Sequence, residues 1–185
     1  KKKVAMTALN RPPTLLVREH LFKTKNGPVS SRIYRPKGND AQLPCLIYMH
    51  GGGWIIGDLD SHDGVCVDIA LDGDCQVIAL DYGLSPENKF PIALEESIVA
   101  LNWLEGKGSR IENISLCGDS AGAHLAASLS HRLALEKKPN VHSQFLIYPM
   151  CDPKCQSKSI ELFKQGYLLT EEAMKWFWEK LRNSS

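Results

Sequence analysis

One stretch of the chain, residues 114–127, restricts the fold more than any other part of the sequence. It begins with a short apolar run, turns through G-D-S-A-G at residues 118–122, and continues as a helix of small residues to about Leu135. Glycines flank the turn at Gly118 and Gly122, where a side chain would collide with the neighbouring strand and helix. The stretch therefore predicts a strand that passes directly into a helix through a tight turn.

The residue at the centre of this turn is Ser120, and a serine between two glycines at such a turn is the pattern of a nucleophile elbow. The turn strains the serine backbone and lifts the Oγ atom out of the sheet edge. The helix N-terminus behind it favours developing negative charge, and Ala121 offers one of its unpaired N–H groups. The alternative is a glycine-flanked loop in which Ser120 only caps the helix.

Length, charge and cysteine content argue against several classes of partner. The chain has 185 residues of which 43% are hydrophobic, enough for one globular domain with a core. With 22 basic and 21 acidic residues the net charge is +1, so neither nucleic acid nor stable membrane insertion is expected. Cys151 and Cys155 lack a second pair at metal spacing, which argues against a zinc site and favours a reducing, cytoplasmic setting.

Strand-like and helical segments alternate along the chain. The predicted strands are residues 15–24, 29–34, 45–49, 76–80, 114–117 and 144–148, and the predicted helices are residues 60–71, 91–104, 123–135 and 171–181. In the first helix Val65, Ile69 and Cys66 are the residues considered to face inward, and residues 154–158 are expected to form a loop. This alternation predicts an α/β fold with a mostly parallel sheet that helices cover on both faces.

A second glycine motif, H-G-G-G at residues 50–53, follows the predicted strand 45–49. Its glycines leave backbone N–H groups unobstructed, and in lipases and esterases such a motif supplies part of the oxyanion hole. Ligands of parallel sheets bind at the carboxyl ends of the strands, so the two glycine motifs should meet at one edge. We interpret His50 as a residue that fixes this loop through the backbone, not as a general base.

On these motifs the chain resembles the hormone-sensitive-lipase family of α/β-hydrolases, the H-G-G-G carboxylesterases. The resemblance covers roughly residues 29–178. The motifs that carry it are H-G-G-G-W at 50–54, G-D at 57–58, S-H-D at 61–63, D-Y-x-L-S-P-E at 81–87, F-P at 90–91 and G-D-S-A-G at 118–122.

The resemblance implies hydrolysis of a small carboxylic ester, with Ser120 attacking the acyl carbon and with no cofactor or metal. It implies an oxyanion hole formed by Gly51, Gly52, Gly53 and Ala121, in which Gly51 shapes the loop and the other three donate N–H groups. The residues expected to support these motifs are His50, Gly118, Asp119 and Gly122. The single hydrolase domain would span residues 1–185, with residues 155–185 as a cap or lid segment. Packing of the helix 171–181 on the core is the alternative for that segment.

The chain departs from the family pattern in two places. The smaller departure is Gly83, where the family usually has an arginine. The larger concerns the catalytic triad, which this fold orders as serine, acid and histidine. No histidine follows Asp152, which is the only aspartate after Ser120, and His124 is interpreted as a packing residue.

The strand count agrees with this second departure, because the family has about two more strands than the six predicted here. Without them, the strand around residues 145–148 would leave an apolar sheet exposed. We therefore expect the chain to be the N-terminal portion of a hydrolase of roughly 280–330 residues. The sequence leaves a homodimer open.

Two other functions also stay open at this point. One is a catalytically inactive homologue that binds a small molecule, which the missing histidine favours. The other is an amidase or deacylase of the same fold, which differs from an esterase only in the leaving group.

Overall fold

A single sheet of six strands organises the part of the chain that the structure describes. The computed structural model describes residues 11–38, 43–109, 113–138 and 141–182. Its strands are β1 (Leu15–Thr24), β2 (Gly27–Pro36), β3 (Cys45–Met49), β4 (Gln76–Leu80), β5 (Ile114–Asp119) and β6 (Ser143–Ile147). Its helices are α1 (Asp63–Asp72), α2 (Ile92–Gly106), α3 (Ala121–Leu135), α4 (Lys158–Phe163) and α5 (Glu171–Leu181).

The sheet has the strand order β1-β2-β4-β3-β5-β6. The first two strands form an antiparallel hairpin, and β2 also pairs antiparallel with β4. The other three pairings, β3 with β4, β3 with β5 and β5 with β6, are parallel. The carboxyl ends of β3 and β5 therefore lie side by side, with Met49 opposite Gly118 in the register.

Helices cover both faces of this sheet, as the strand β3 illustrates. Ile47 and Met49 belong to the larger hydrophobic cluster, which includes buried side chains of α2, α3 and α5. The intervening Tyr48 belongs to the second cluster, on the opposite face, together with Cys66 of α1. Because successive side chains of a strand point to opposite faces, an unbroken apolar run is the pattern that such a doubly covered strand requires.

The first helix differs from its prediction in both its start and its buried face. It begins at Asp63, and its buried residues are Asp63, Cys66, Val67 and Ala70, whereas Val65 is 41% exposed. The expectation that Val65 faces inward is therefore wrong, whereas Cys66 is buried and Ile69 is half-buried against the second cluster, as expected. The physical reason is that the charged Asp63 is anchored in the interior, and this anchor sets which side of the helix faces the sheet.

The anchor is a buried ion pair that the sequence analysis did not identify. Asp63 Oδ1 accepts hydrogen bonds from Arg32 Nη1, Arg11 Nη2 and the Tyr34 hydroxyl, each at 2.7 Å. Burial alone would raise the pKa of the Asp63 carboxyl, but the hydrogen bonds from the two arginines and the tyrosine outweigh it and lower that pKa. The carboxylate is thus charged at neutral pH and satisfied by its donors.

The short helix α4 was not predicted, although the expected loop at residues 154–158 agrees with the structure except at Lys158. It begins at Lys158, and the Ser157 Oγ caps it by accepting a hydrogen bond from the Ile160 N–H group at 3.4 Å. None of its residues is buried. A helix without a buried face leaves no hydrophobic period in the sequence, so pattern analysis had nothing to detect.

The last strand, β6, pairs with β5 and with no other strand of the described residues. Two of the aromatic side chains near it are largely exposed, Phe145 at 62% and Tyr148 at 73%. This is the uncovered apolar edge that the sequence analysis expected for this strand. Among the described residues, none of the helices combines the length and the apolar character needed to cross a bilayer.

Replacing Arg32 by alanine should strongly destabilise the protein, because it leaves Asp63 in the interior with one of its two arginine partners removed. We expect the free energy of unfolding to fall by about 3 kcal/mol in urea titrations. Arg18→Ala, the control, removes an exposed arginine of β1. It should change the free energy of unfolding by less than about 0.5 kcal/mol. Equal losses in the two variants would show that Asp63 does not depend on Arg32.

Candidate active site

Ser120 lies at the turn between β5 and α3 with a backbone that non-glycine residues rarely adopt. Its φ is +52° and its ψ is −114°. Hydrogen bonds hold the backbone there: the Ser120 N–H donates to the Ile147 carbonyl at 2.8 Å, and its own carbonyl accepts from the His124 N–H at 3.1 Å. The side chain is half-buried, and within the described ranges no group forms a hydrogen bond with its Oγ.

The two glycines beside Ser120 lie where α3 and β3 approach each other most closely. A Cβ on Gly122 would overlap the carbonyl oxygen of Met49, the last residue of β3. A Cβ on Gly118 would overlap the backbone of Gly122 and lie 2.5 Å from the same oxygen. These are collisions with a neighbouring strand and helix, the reason that the sequence analysis gave for glycine at both positions.

The H-G-G-G loop leaves the end of β3 and is fixed by its histidine. His50 is buried, and its Nδ1 lies 2.7 Å from the Gly51 carbonyl oxygen. Its ring stacks on Tyr82 with 4.4 Å between centroids, and the Tyr82 hydroxyl donates to the His50 carbonyl at 2.7 Å. Burial lowers the pKa of His50 to about 4, so the ring is neutral near pH 7. These contacts agree with a loop-fixing residue.

Asp119 joins the two glycine motifs. Its Oδ1 accepts a hydrogen bond from the Gly51 N–H at 2.8 Å and another from the Tyr48 hydroxyl at 2.7 Å. The N–H of Gly51 is therefore occupied by Asp119 and cannot donate to a substrate oxygen. This contact is consistent with the role that the sequence analysis gave to Gly51, which was to shape the loop and not to donate.

The next two glycines of the loop adopt backbone conformations that favour glycine, with φ values of +115° for Gly52 and +60° for Gly53. A Cβ on Gly52 would overlap the Ile56 carbonyl, which closes the turn. Their N–H groups have no hydrogen-bond partner in the described part of the chain. The N–H group of Ala121, the first residue of α3, likewise has no hydrogen-bond partner among the described residues.

Helix α5 packs directly on this loop. The ring of Phe177 lies against Gly53, where a Cβ would overlap it. Trp178 contacts Trp54, the residue after the loop, with 4.6 Å between ring centroids. Trp178 and Leu181 are both buried in the main core cluster. The helix thus contributes to the core and also contacts the glycine loop.

His124 is enclosed by the same aromatic residues. Its ring contacts Trp54 at 5.2 Å and Trp178 at 5.1 Å between centroids, both edge to face. Burial lowers the pKa of His124 to about 4. Its Nδ1 is buried without a hydrogen-bond partner among the described residues. These contacts agree with a packing role for His124.

The sequence analysis did not assign a role to three residues that the structure shows in contacts around the site. Tyr48 lies in an unbroken apolar run, and nothing in that run signals a hydroxyl that reaches a carboxylate. Tyr82 was noted only as part of a motif. Gly83 stands where the family usually has an arginine. Its N–H group donates a hydrogen bond of 2.7 Å to the buried carboxylate of Glu96.

Neither a metal centre nor a disulfide occurs in the described part of the chain. No three His, Cys, Asp or Glu side chains there are arranged to hold a metal ion. The six cysteines, all within the described ranges, are unpaired, and Cys151 is the exposed one.

Comparison with known sequences finds relatives among hydrolases of the α/β fold. A family described as having the alpha/beta hydrolase fold matches residues 46–184. An ethyl acetate hydrolase of Pseudomonas putida is 37% identical over 158 residues, with 80% of this chain and 49% of that protein covered. A carboxylic ester hydrolase of Mycobacterium tuberculosis, LipN, is 38% identical over 161 residues, with 82% and 42% covered. The chain spans about half the length of the curated relatives it matches.

Solved structures share the same architecture. An ester hydrolase from the metagenome of Lake Arreo, complexed with a derivative of bipyridine phosphonate, matches with a TM-score of 0.87 at 34% identity, covering 95% of this chain and 57% of that one. A hyperthermophilic esterase of the archaeon Pyrobaculum calidifontis matches with a TM-score of 0.83 at 31% identity, covering 91% and 57%. These matches confirm the fold class predicted from the sequence.

Gly122→Ala should disrupt the site, because the added methyl group has to push the first turn of α3 away from β3. We expect a loss of about 3 kcal/mol in unfolding free energy. Gly106→Ala is the matched control, since a Cβ at Gly106 meets nothing within 4 Å, and alanine there should be neutral or stabilise by up to about 1 kcal/mol. If Gly122→Ala were as stable as Gly106→Ala, the close approach would be refuted.

The buried His50 and the half-buried His124 should make the protein sensitive to mild acid. Their pKa values in the folded state are about 4. Between about pH 6.5 and 4 the unfolded chain therefore binds protons at these rings, whereas the folded protein does not. The free energy of unfolding therefore has its full value above about pH 6.5. It falls by about 2 kcal/mol for each ring as the pH is lowered toward about 4. His124→Phe should reduce this loss, whereas His131→Phe, at an exposed position of the same helix, should leave it unchanged. Urea titrations across this pH range measure both, and identical pH dependence in the two variants would contradict the assignment.

Proposed function

Because the chain belongs to the α/β-hydrolase fold family matched by residues 46–184, we propose that the whole protein hydrolyses small carboxylic esters through Ser120. The observation that carries this proposal is the hydrogen bond between the two glycine motifs, from Gly51 N–H to Asp119 Oδ1 at 2.8 Å. It brings a strained serine and a loop of open N–H groups to one edge of the sheet. The esterases among the relatives support ester bonds as the substrate class.

In the proposed reaction the Ser120 Oγ attacks the acyl carbon of the ester. The carbonyl oxygen becomes an oxyanion, and the N–H groups of Gly52, Gly53 and Ala121 donate to it. Ala121 adds the favourable end of the α3 dipole. In serine hydrolases, removing one donor of this kind costs about 2.7–4 kcal/mol of transition-state stabilisation. The alcohol leaves, and water then releases the acid from the acyl-enzyme.

The reaction also needs a base that takes the Ser120 proton and returns it to the leaving alcohol. His50 is stacked on Tyr82, and His124 is enclosed by two tryptophans. Both have pKa values of about 4, which makes them weak bases at neutral pH. We therefore propose that the histidine and its acid lie outside residues 1–185, consistent with relatives that are about twice as long.

Residues 155–185 are proposed as part of a cap over the ester site. The support is that Phe177 of α5 lies against Gly53, one of the proposed oxyanion donors. A reducing, cytoplasmic setting is proposed as well, because the six cysteines are unpaired. A homodimer stays a proposal that sedimentation of the whole protein decides.

A catalytically inactive, ligand-binding homologue is the second candidate. The observation that favours it is that no histidine of the described residues forms a hydrogen bond with the Ser120 Oγ. A fluorophosphonate probe separates the two candidates, because it labels only an activated serine. Labelling at Ser120 in the whole protein favours the hydrolase, and a folded protein that stays unlabelled favours the binding homologue.

Ser120→Ala should abolish hydrolysis of p-nitrophenyl acetate and butyrate by the whole protein, because it removes the attacking oxygen. Ser61→Ala is an informative control, since the Ser61 Oγ lies 2.9 Å from His62 Nδ1 and mimics a serine–histidine pair. We expect Ser61→Ala to retain activity, because the Ser61 Oγ already bonds the Asp58 N–H and carbonyl in a local turn. The mechanism fails if Ser120→Ala still turns over these esters or if Ser61→Ala is the inactive variant.

A further inference from the structure

Three groups from different parts of the fold converge on a single oxygen atom, Asp119 Oδ1. The Tyr48 hydroxyl comes from β3, the Gly51 N–H from the glycine loop, and His62 Nε2, at 3.5 Å, from the residue before α1. Asp119 itself is the last residue of β5 and immediately precedes Ser120. One side chain therefore links the glycine loop to the residue next to the serine.

The fit between this carboxylate and the loop is close. A Cβ on Gly51 would overlap Asp119 Oδ2, so the carboxylate occupies the space that a side chain at position 51 would need. Ser120 is held from the other side by its N–H bond to the Ile147 carbonyl. The nucleophile and the loop are thus fixed with respect to each other through adjacent residues of one turn.

The carboxylate is also charged at neutral pH. Burial alone would raise the pKa of Asp119, but the hydrogen bonds from His62 and Tyr48 outweigh it and lower that pKa. Hydrogen bonds to an ionised acceptor are roughly twice as strong as neutral ones. A charged clamp therefore holds Gly51 more firmly than a neutral side chain of the same size would.

We infer that Asp119 is a positioning residue, which holds the N–H groups of Gly52 and Gly53 at the place where the oxyanion forms. This inference rests on the proposed ester hydrolysis. Asp119 touches no reacting atom in this role, and it acts through Gly51. Because an oxyanion hole stabilises the transition state more than the bound ester, loss of the clamp should lower kcat and leave KM nearly unchanged.

The test compares Asp119→Ala, Asp119→Asn and wild type in the whole protein, with p-nitrophenyl butyrate as the substrate. We expect Asp119→Ala to lower kcat on the order of 100-fold, with KM within about threefold of wild type. Asp119→Asn keeps an acceptor oxygen of similar reach but removes the charge. It should restore part of the loss, so that kcat falls only about tenfold below wild type.

A stability control separates positioning from general destabilisation. Phe22→Leu shortens a buried side chain of β1 that packs on His20 and Trp103. Three strands separate β1 from β5 in the sheet, so this variant should destabilise the fold while leaving kcat within about threefold of wild type. The inference is overturned if Asp119→Ala keeps its kcat within threefold, or if Phe22→Leu loses as much kcat as Asp119→Ala.

Amide hydrogen exchange of the peptide that contains residues 50–54 gives a measurement that does not need turnover. We expect exchange to be at least about tenfold faster in Asp119→Ala than in wild type, with Asp119→Asn between them. Equal exchange in all three proteins overturns the inference. If the wild-type protein hydrolyses no ester, the proposed function fails, and the exchange measurement still decides whether Asp119 clamps the loop.

Discussion

The arrangement around Ser120 depends on one close approach between backbones, the contact of the first turn of α3 with the end of β3. The Met49 carbonyl lies where a Cβ of Gly122 would be. Only residues without a side chain allow a helix to approach a strand so closely. This approach brings Gly51 and Asp119, which are 68 positions apart in the chain, within hydrogen-bond distance.

Burial has opposite electrostatic consequences for the groups around this contact. Asp119 is partly buried among donors and keeps its charge, because the hydrogen bonds it accepts outweigh the cost of desolvation. His124 packs between aromatic rings, with its Nδ1 buried and without a partner in the described residues, and partial burial lowers its pKa to about 4. Asp63 repeats the first case on the same face of the sheet, where two arginines supply donors.

Segments defined by a local apolar pattern were predicted better than segments whose structure depends on a distant partner or that bury nothing. The bounds of β3, β4 and α5 agree with their predictions, because apolar periodicity or an unbroken apolar run defines them. One residue of α1, Val65, was assigned to the wrong face, since a buried ion pair orients that helix and no local pattern reveals a partner far along the chain. Helix α4 was missed because it buries nothing. The fold class needed only the alternation of strands and helices.

The sequence by itself determined the elbow around Ser120, the glycine loop at residues 50–53 and the α/β class, because glycine geometry and hydrophobic period are local properties. Only the tertiary structure decided that Asp119 links these two motifs, that Gly51 gives its N–H to that carboxylate, and that α5 packs on the loop. Each of these depends on which strands are neighbours in the sheet. A hydrogen bond between residues far apart in the chain produces no periodic pattern in the sequence. It can therefore be identified only from the folded structure.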